Sequence, residues 1–225
     1  VLIVAGHNLL DPVTIPAGHP GHAIWAILHD RGFIELSDGL RIRTSYPVLP
    51  WIGVIALGHA AGPWFGGSVA PAVRRRRLSV AGAGMLLAFV TLRALNGYGE
   101  PSPWMVGDTA LATAMSFLNV TKYPPSLDFL LLTLGAGALI LAGWEGRRGG
   151  PLAVLGGAPL FFYVFHLYVL HLAFIGWSAA SGVADVPSVA WIWAIAAVLV
   201  PPLWLATRRF SEAKRRSGAG WMSYL

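Results

Sequence analysis

The sequence predicts an all-α polytopic membrane protein, on three observations. Hydrophobic residues make up 56% of the chain and charged residues only 12%, against about 25% charged in soluble domains. Mean hydropathy is +0.63. The ten Trp and 27 Gly agree with this, because Trp marks membrane interfaces and Gly is frequent in membrane helices.

The chain opens with "VLIVAGHNLLD", which reads as the last turns of a membrane helix. A full crossing takes about 20 residues, so the sequence reads as a fragment cut within that helix. Five complete apolar runs follow, at 46–65, 78–95, 127–144, 151–177 and 189–207. The fourth is too long for one crossing. "LGGAPLFFY" interrupts it, so a break at 157–159 is expected, with a helix starting at Pro159, where a proline φ suits a first helical residue.

Between the truncated helix and the first run lies a long outer loop, 11–45. Its "AIWAILHDRG" predicts a short interfacial helix, and "FIELSDGLRIR" alternates about Asp38-Gly39, a hairpin signal. Orientation follows from the basic connectors. Arg74, Arg75, Arg76 and Arg77 fall in 66–77, Arg147 and Arg148 in 145–150, and five further Lys or Arg in the tail 208–225. The alternate connectors hold only Arg31, Arg41, Arg43 and Lys122. The positive-inside rule then places the C-terminus in the cytoplasm and 11–45 outside.

The formal net charge of +6 therefore reads as topology signal, not as a nucleic-acid surface. Cysteine is absent, which excludes disulfides, thiolate metal sites and a Cys nucleophile. No GxSxG, Walker A, HExxH or GxGxxG element occurs, so nucleotide hydrolysis and zinc proteolysis have no support, and no metal is expected.

Ionisable groups within apolar runs are functional candidates by default. Here they are His59, Arg93, His166 and His171. Arg93 sits near a helix end, where it can snorkel. In "FFYVFHLYVLH", Tyr163 precedes His166 by three residues and Tyr168 precedes His171 by three, so each His has a Tyr neighbour on the helix surface. Either these histidines are satisfied between helices or they line a transmembrane path for protons. His7 and Asp11 stand four apart at the end of the truncated helix. Facing one another, they would form a carboxylate-oriented base. At "TKYPPSLDFLLLTLG", Lys122 and Tyr123 suit an interface. Ser126 is placed to cap the helix, and Asp128 to meet its positive end.

"HNLLD", "YPVLPWIGVIALGHAAG", "FLNVTKYPPSLDFLLLTLG", "PLFFYVFHLYVLH" and the terminal "WMSYL" together resemble, in wording and order, bacterial membrane proteins with a heparan-alpha-glucosaminide N-acetyltransferase catalytic domain. The resemblance spans nearly the whole sequence. It implies a transmembrane acyltransferase in the bacterial inner membrane. Such an enzyme carries acetyl from cytoplasmic acetyl-CoA, or another acyl-CoA, to an extracytoplasmic amino sugar or related glycan acceptor, with a histidine as base or acetyl carrier.

By the same resemblance, His7 and Asp11 fall in its "HNLLD" run as catalytic candidates, with Asn8, Lys122 and Tyr123 as acceptor-binding candidates. His59, Tyr163, His166, Tyr168 and His171 are the candidates for the transmembrane path, and Arg74 to Arg77 for the CoA phosphates. The family's N-terminal "LRG"-type helix does not appear in this sequence, so the fragment alone is expected to be inactive. Expected partners are the lipid bilayer and the acceptor, with no nucleic acid; a homo-oligomer is left open. A proton-coupled transporter or flippase is the alternative, opposed by the lack of paired broken helices in two halves.

Overall fold

The computed structural model describes residues 1–225 except 38, 148, 183, 184, 187 and 218–225. It falls into two compact units, 1–146 and 147–225, taken here one at a time.

The first unit begins with α1 (Leu2–Gly6), which tightens into a 3₁₀ turn at His7–Leu10. α2 (His22–Leu28) and the antiparallel hairpin β1 (Gly32–Ser37) and β2 (Leu40–Thr44) fill the outer loop as the sequence predicts. Gly39 has φ +84° at the turn, a conformation open to glycine without strain. Asp38 of the hairpin signal lies outside the described residues.

α3 (Leu49–Ala61) has only 13 residues and passes into a 3₁₀ turn at Gly62–Phe65, where Pro63 cannot continue the amide ladder. Even so, the run reaches from Tyr46, whose ring meets Tyr123, to Phe65, which lies beneath the Arg74 guanidinium.

α4 (Pro71–Leu95) and α6 (Leu127–Trp144) form the main pair of this unit. α4 starts earlier than the hydropathy predicts. Arg74 to Arg77 are helical rather than part of a connector, because Pro71 sets the first turn and arginine is a good helix former. The pair is antiparallel: Arg74 near the start of α4 bonds Glu145 just past α6. Midway, glycines bring the backbones together. A Cβ on Gly82 would lie 2.8 Å from Gly135 O, and one on Gly135 would lie 3.0 Å from Leu86 Cγ. Small residues at such crossings substitute close packing for the hydrophobic drive that lipid removes.

Val4, Leu127 and Leu130 form the buried core at the Leu127 end, with Val54, Leu57, Leu92 and Tyr98 against them. In the connector from α4 to α6 the chain forms α5 (Ala110–Leu118), capped by Thr109 Oγ1 accepting from Ala112 N. The sequence reading did not anticipate this short helix.

The second unit contains α7 (Gly150–Gly157), α8 (Pro159–Ser181) and α9 (Val189–Ser217). The predicted break falls at Ala158, between α7 and α8. Phe161 stacks on Phe210 at 4.2 Å, and Trp204 Nε1 donates to Pro151 O at 2.8 Å. α9 continues through the basic residues to Ser217, past the predicted end at 207. The "WMSYL" motif lies outside the described residues.

Among the described residues, four helices are long and apolar enough to cross a membrane: α4, α6, α8 and α9. The chain is an integral membrane protein in that sense. α3, the remaining predicted crossing, has 13 residues and is not among the four.

Candidate functional site

Polar groups concentrate at the Leu127 end of the α4–α6 pair. The 3₁₀ turn after α1 buries His7 and Asn8 there. Both ring nitrogens of His7 face carbonyl oxygens: Nδ1 lies 3.0 Å from Val4 O, and Nε2 lies 2.8 Å from Pro125 O. A carbonyl only accepts, so both bonds form together only when both nitrogens carry protons. Neither nitrogen is presented to a substrate.

The i, i+4 pairing predicted for His7 and Asp11 does not form, because the 3₁₀ turn carries Asp11 to another partner. Asp11 Oδ1 lies 3.1 Å from Nε2 of His29. Its second oxygen accepts from Asn8 Nδ2 at 2.9 Å, while Asn8 Oδ1 accepts from Leu127 N at 2.8 Å. A continuous chain thus runs from the first amide of α6 through Asn8 and Asp11 to His29. Asn8, predicted to bind an acceptor, uses both ends of its amide in this chain.

His29 is 1% exposed, at the end of α2, with the Trp25 ring 5.1 Å away. The Asp11 carboxylate accepts, so Nε2 donates to it; in the neutral ring Nδ1 then holds the lone pair. That Nδ1 is buried and has no partner among the described residues. A carboxylate fixing one nitrogen so that the other stays basic is the arrangement of a general base or nucleophile.

Sequence reasoning missed His29. It appears only as the end of the interfacial helix "AIWAILHDRG", and no local spacing links it to Asp11.

A second cluster lies behind the first, around Glu100. One Glu100 oxygen accepts from Thr121 N at 2.8 Å and Ser126 Oγ at 2.7 Å, and the other from Ser102 N and Thr121 Oγ1. Ser126 caps α6 as predicted, its Oγ accepting from Phe129 N at 3.0 Å. Asp128 is fully buried, and neither of its carboxyl oxygens has a hydrogen-bond partner among the described residues. The amide of Leu127 goes to Asn8, that of Asp128 to Gly99 O and that of Phe129 to Ser126, which leaves the Asp128 carboxyl without these donors.

Arg93 does not snorkel. It is 2% exposed, and its guanidinium donates to the carbonyls of Phe117, Ser102, Ser116 and Asn119 at 2.8–3.0 Å. The reason is local: the connector after α4 folds back over the helix end and brings four carbonyls, three of them at the end of α5, to one point.

Lys122 and Tyr123 form the rim. Tyr123 OH lies 3.2 Å from Tyr46 OH, with Arg31 5.5 Å and Lys122 5.0 Å from its ring centroid. Hydrogen bonding to Tyr46 and Lys122 holds the Tyr123 hydroxyl below the usual phenol range and raises Lys122 in turn. Burial, and the charge of Asp11, push the Tyr98 hydroxyl upward; it donates to Ala5 O at 2.5 Å.

The opposite end of the pair is cationic. Arg74 makes a two-pronged ion pair with Glu145, at 2.8 and 2.9 Å. Arg75 and Arg76 line a depression of about 430 Å³ with Pro71, Ala72, Ser79 and Glu145, and Arg77 is exposed.

His59 is exposed on α3. In the second unit, His166 Nδ1 meets Phe162 O at 3.0 Å, and the Tyr163 ring lies edge-on at 5.5 Å, the predicted i, i+3 neighbour. Tyr163, Tyr168 and His171 are exposed in the unit as described. The cleft between α8 and α9, about 410 Å³, is lined by apolar residues including Phe174, Trp177 and Trp191.

Among the described residues, no group of three or more His, Cys, Asp or Glu could hold a metal ion. No family model, curated protein or solved structure matches the chain, so its chemistry rests on the residues themselves.

Proposed function

We propose that the chain belongs to a membrane-bound acyltransferase. It would move an acetyl or other acyl group from cytoplasmic acyl-CoA to an amino sugar or related glycan acceptor on the far side of the bacterial inner membrane. One observation carries the reading: the Asp11–His29 couple, whose Nδ1 has no hydrogen-bond partner among the described residues, lies at the end of α6 opposite the arginines of α4. α6 has 18 residues, about 27 Å at about 1.5 Å per residue, close to the thickness of a hydrocarbon core. A basic, phosphate-compatible end and a base-bearing end thus lie a membrane's width apart on one helix pair. The resemblance noted in the sequence supports the same assignment, as does the positive-inside rule, which puts the arginines and the C-terminus in the cytoplasm.

His29 Nδ1 takes a proton from the acceptor's amine or hydroxyl as that group attacks the thioester carbonyl. The new bond to nitrogen or oxygen forms, the carbon–sulfur bond breaks, and the proton passes to the leaving thiolate. Asp11 holds His29 in the required tautomer and stabilises the transient imidazolium. Asn8 holds Asp11, and through Leu127 N ties the couple to the start of α6. Trp25 and the rim of Lys122 and Tyr123 offer an aromatic and polar surface for a sugar. His29 is buried while Asp11 is partly exposed, so an acceptor reaches Nδ1 only if the packing around His29 opens.

The test is transmembrane acyl transfer by the full-length gene product in liposomes, with labelled acetyl-CoA outside and glucosamine-type acceptors inside. Labelled product is expected in the lumen. His29→Gln is expected to lower kcat by about 100-fold or more, and Asp11→Asn to lower it in the same direction. His19→Gln, an exposed histidine of the same loop, is expected to leave it unchanged. Full transfer by His29→Gln would remove the base assignment. No transfer by the folded wild-type protein across a panel of donors and acceptors would favour the transporter reading instead.

A further inference from the structure

The four consecutive arginines at the start of α4 look alike in sequence, but the fold treats them differently. Successive helical residues point about 100° apart, so the four cannot face one ligand together. Arg74 is already committed. Its guanidinium grips both oxygens of Glu145, both side chains are mostly buried, and the Phe65 ring lies 5.8 Å beneath it. This pair locks the start of α4 to the end of α6 and neutralises the acid on the rim of the neighbouring depression.

Arg75, Arg76 and Ser79 are in the opposite situation. Ser79 follows Arg75 by four residues and Arg76 by three, so the three share a helix face. All three line the depression of about 430 Å³. Among the described residues, none of them has a hydrogen-bond or ion-pair partner. Two guanidinium forks and a hydroxyl therefore converge on a space with no net counter-charge, since Glu145 is neutralised by Arg74. Planar guanidinium donors match phosphate oxygens two at a time.

We infer that Arg75, Arg76 and Ser79 form a binding site for a phosphate monoester, and that Arg74 is a structural residue outside it. The monoester is favoured over a lipid phosphodiester on charge: the site carries two cations, and a terminal phosphate carries close to two negative charges. Identifying the ligand as the nucleotide end of the acyl donor rests on the acyltransferase reading; the site itself does not.

The probe is adenosine 3′,5′-bisphosphate, titrated against the full chain in nanodiscs of zwitterionic lipid. Saturable binding that weakens with salt is expected. Arg75→Ala with Arg76→Ala is expected to weaken it by about tenfold or more. Arg41→Ala with Arg43→Ala, which removes the same charge from the hairpin, should leave it unchanged. Ser79→Ala, a milder change that keeps the helix intact, should weaken it by a smaller factor.

Three results would overturn the site: no saturable binding, binding indifferent to the double substitution, or binding abolished when phosphatidylglycerol is added to the nanodisc. The last would mark the patch as a lipid contact. Saturable binding by a protein that transfers no acyl group would confirm the site and remove the acyltransferase reading, so the two ideas fail separately.

Discussion

His22 and His29 lie seven residues apart in the outer loop, yet their surroundings differ. His29 meets a carboxylate through one nitrogen, and its other nitrogen has no hydrogen-bond partner among the described residues. His22 meets carbonyls with both nitrogens, Ile15 O at 2.7 Å and Phe33 O at 3.2 Å. Carbonyls bond only to N–H, so these contacts favour the doubly protonated ring and raise the His22 pKa above its ordinary value. The stabilisation is fully present below about pH 6.5 and is lost as pH rises through the raised, folded-state value. His22 ties the 12–21 segment to β1. Proteolysis of that segment is therefore expected to speed up as pH rises through that raised value, after correction for the protease's own profile. His22→Gln should show fast cleavage at every pH. A pH-independent wild type would show that the two carbonyl contacts do not hold the loop.

At the scale of elements, the α4–α6 crossing depends on what glycine lacks. A methyl at Gly82 would sit 2.8 Å from a backbone oxygen and 2.9 Å from Leu139 Cγ, so one helix has to move. Gly82→Ala is expected to destabilise the unit by about 1–3 kcal/mol, read as a lower detergent melting temperature. Gly84→Ala, on open space in the same helix, should be neutral or slightly stabilising, because alanine is the better helix former.

Element positions were largely legible in the sequence. Apolar run length placed α6, α8 and most of α4 and α9. Pro159 marked the break before α8, and alternation about Asp38-Gly39 gave the hairpin. α5 was not legible, since nine residues of "ALATAMSFL" fall between the patterns of a span and a loop. The candidate site was legible only in part. Asp11 and Tyr123 were singled out from local motifs, and Asn8 through the resemblance. The partner of Asp11, and the role of Arg93, depend on a chain excursion and on a connector fold that no local period encodes.

At the scale of the whole molecule, the question is which ends face which side. The chain has no cysteine, so single introduced thiols report topology without background. Ser37→Cys in the hairpin is expected to react with an impermeant maleimide in intact cells. Ser68→Cys, just before α4, and Lys214→Cys in α9 should react only after permeabilisation. Labelling of Ser37→Cys and Ser68→Cys from the same side would mean that the 46–65 run does not cross, despite reaching from Tyr123 to Arg74.

Arg93 bears on the same question in another way. One guanidinium gathers carbonyls from Ser102, Ser116, Phe117 and Asn119, a staple of the kind that secreted domains make from sulfur. Guanidinium has no redox chemistry of this sort. The connector between α4 and α6 is thus clasped equally well at a reducing or an oxidising thiol poise. It needs no oxidase or isomerase to mature, on whichever face of the membrane it emerges.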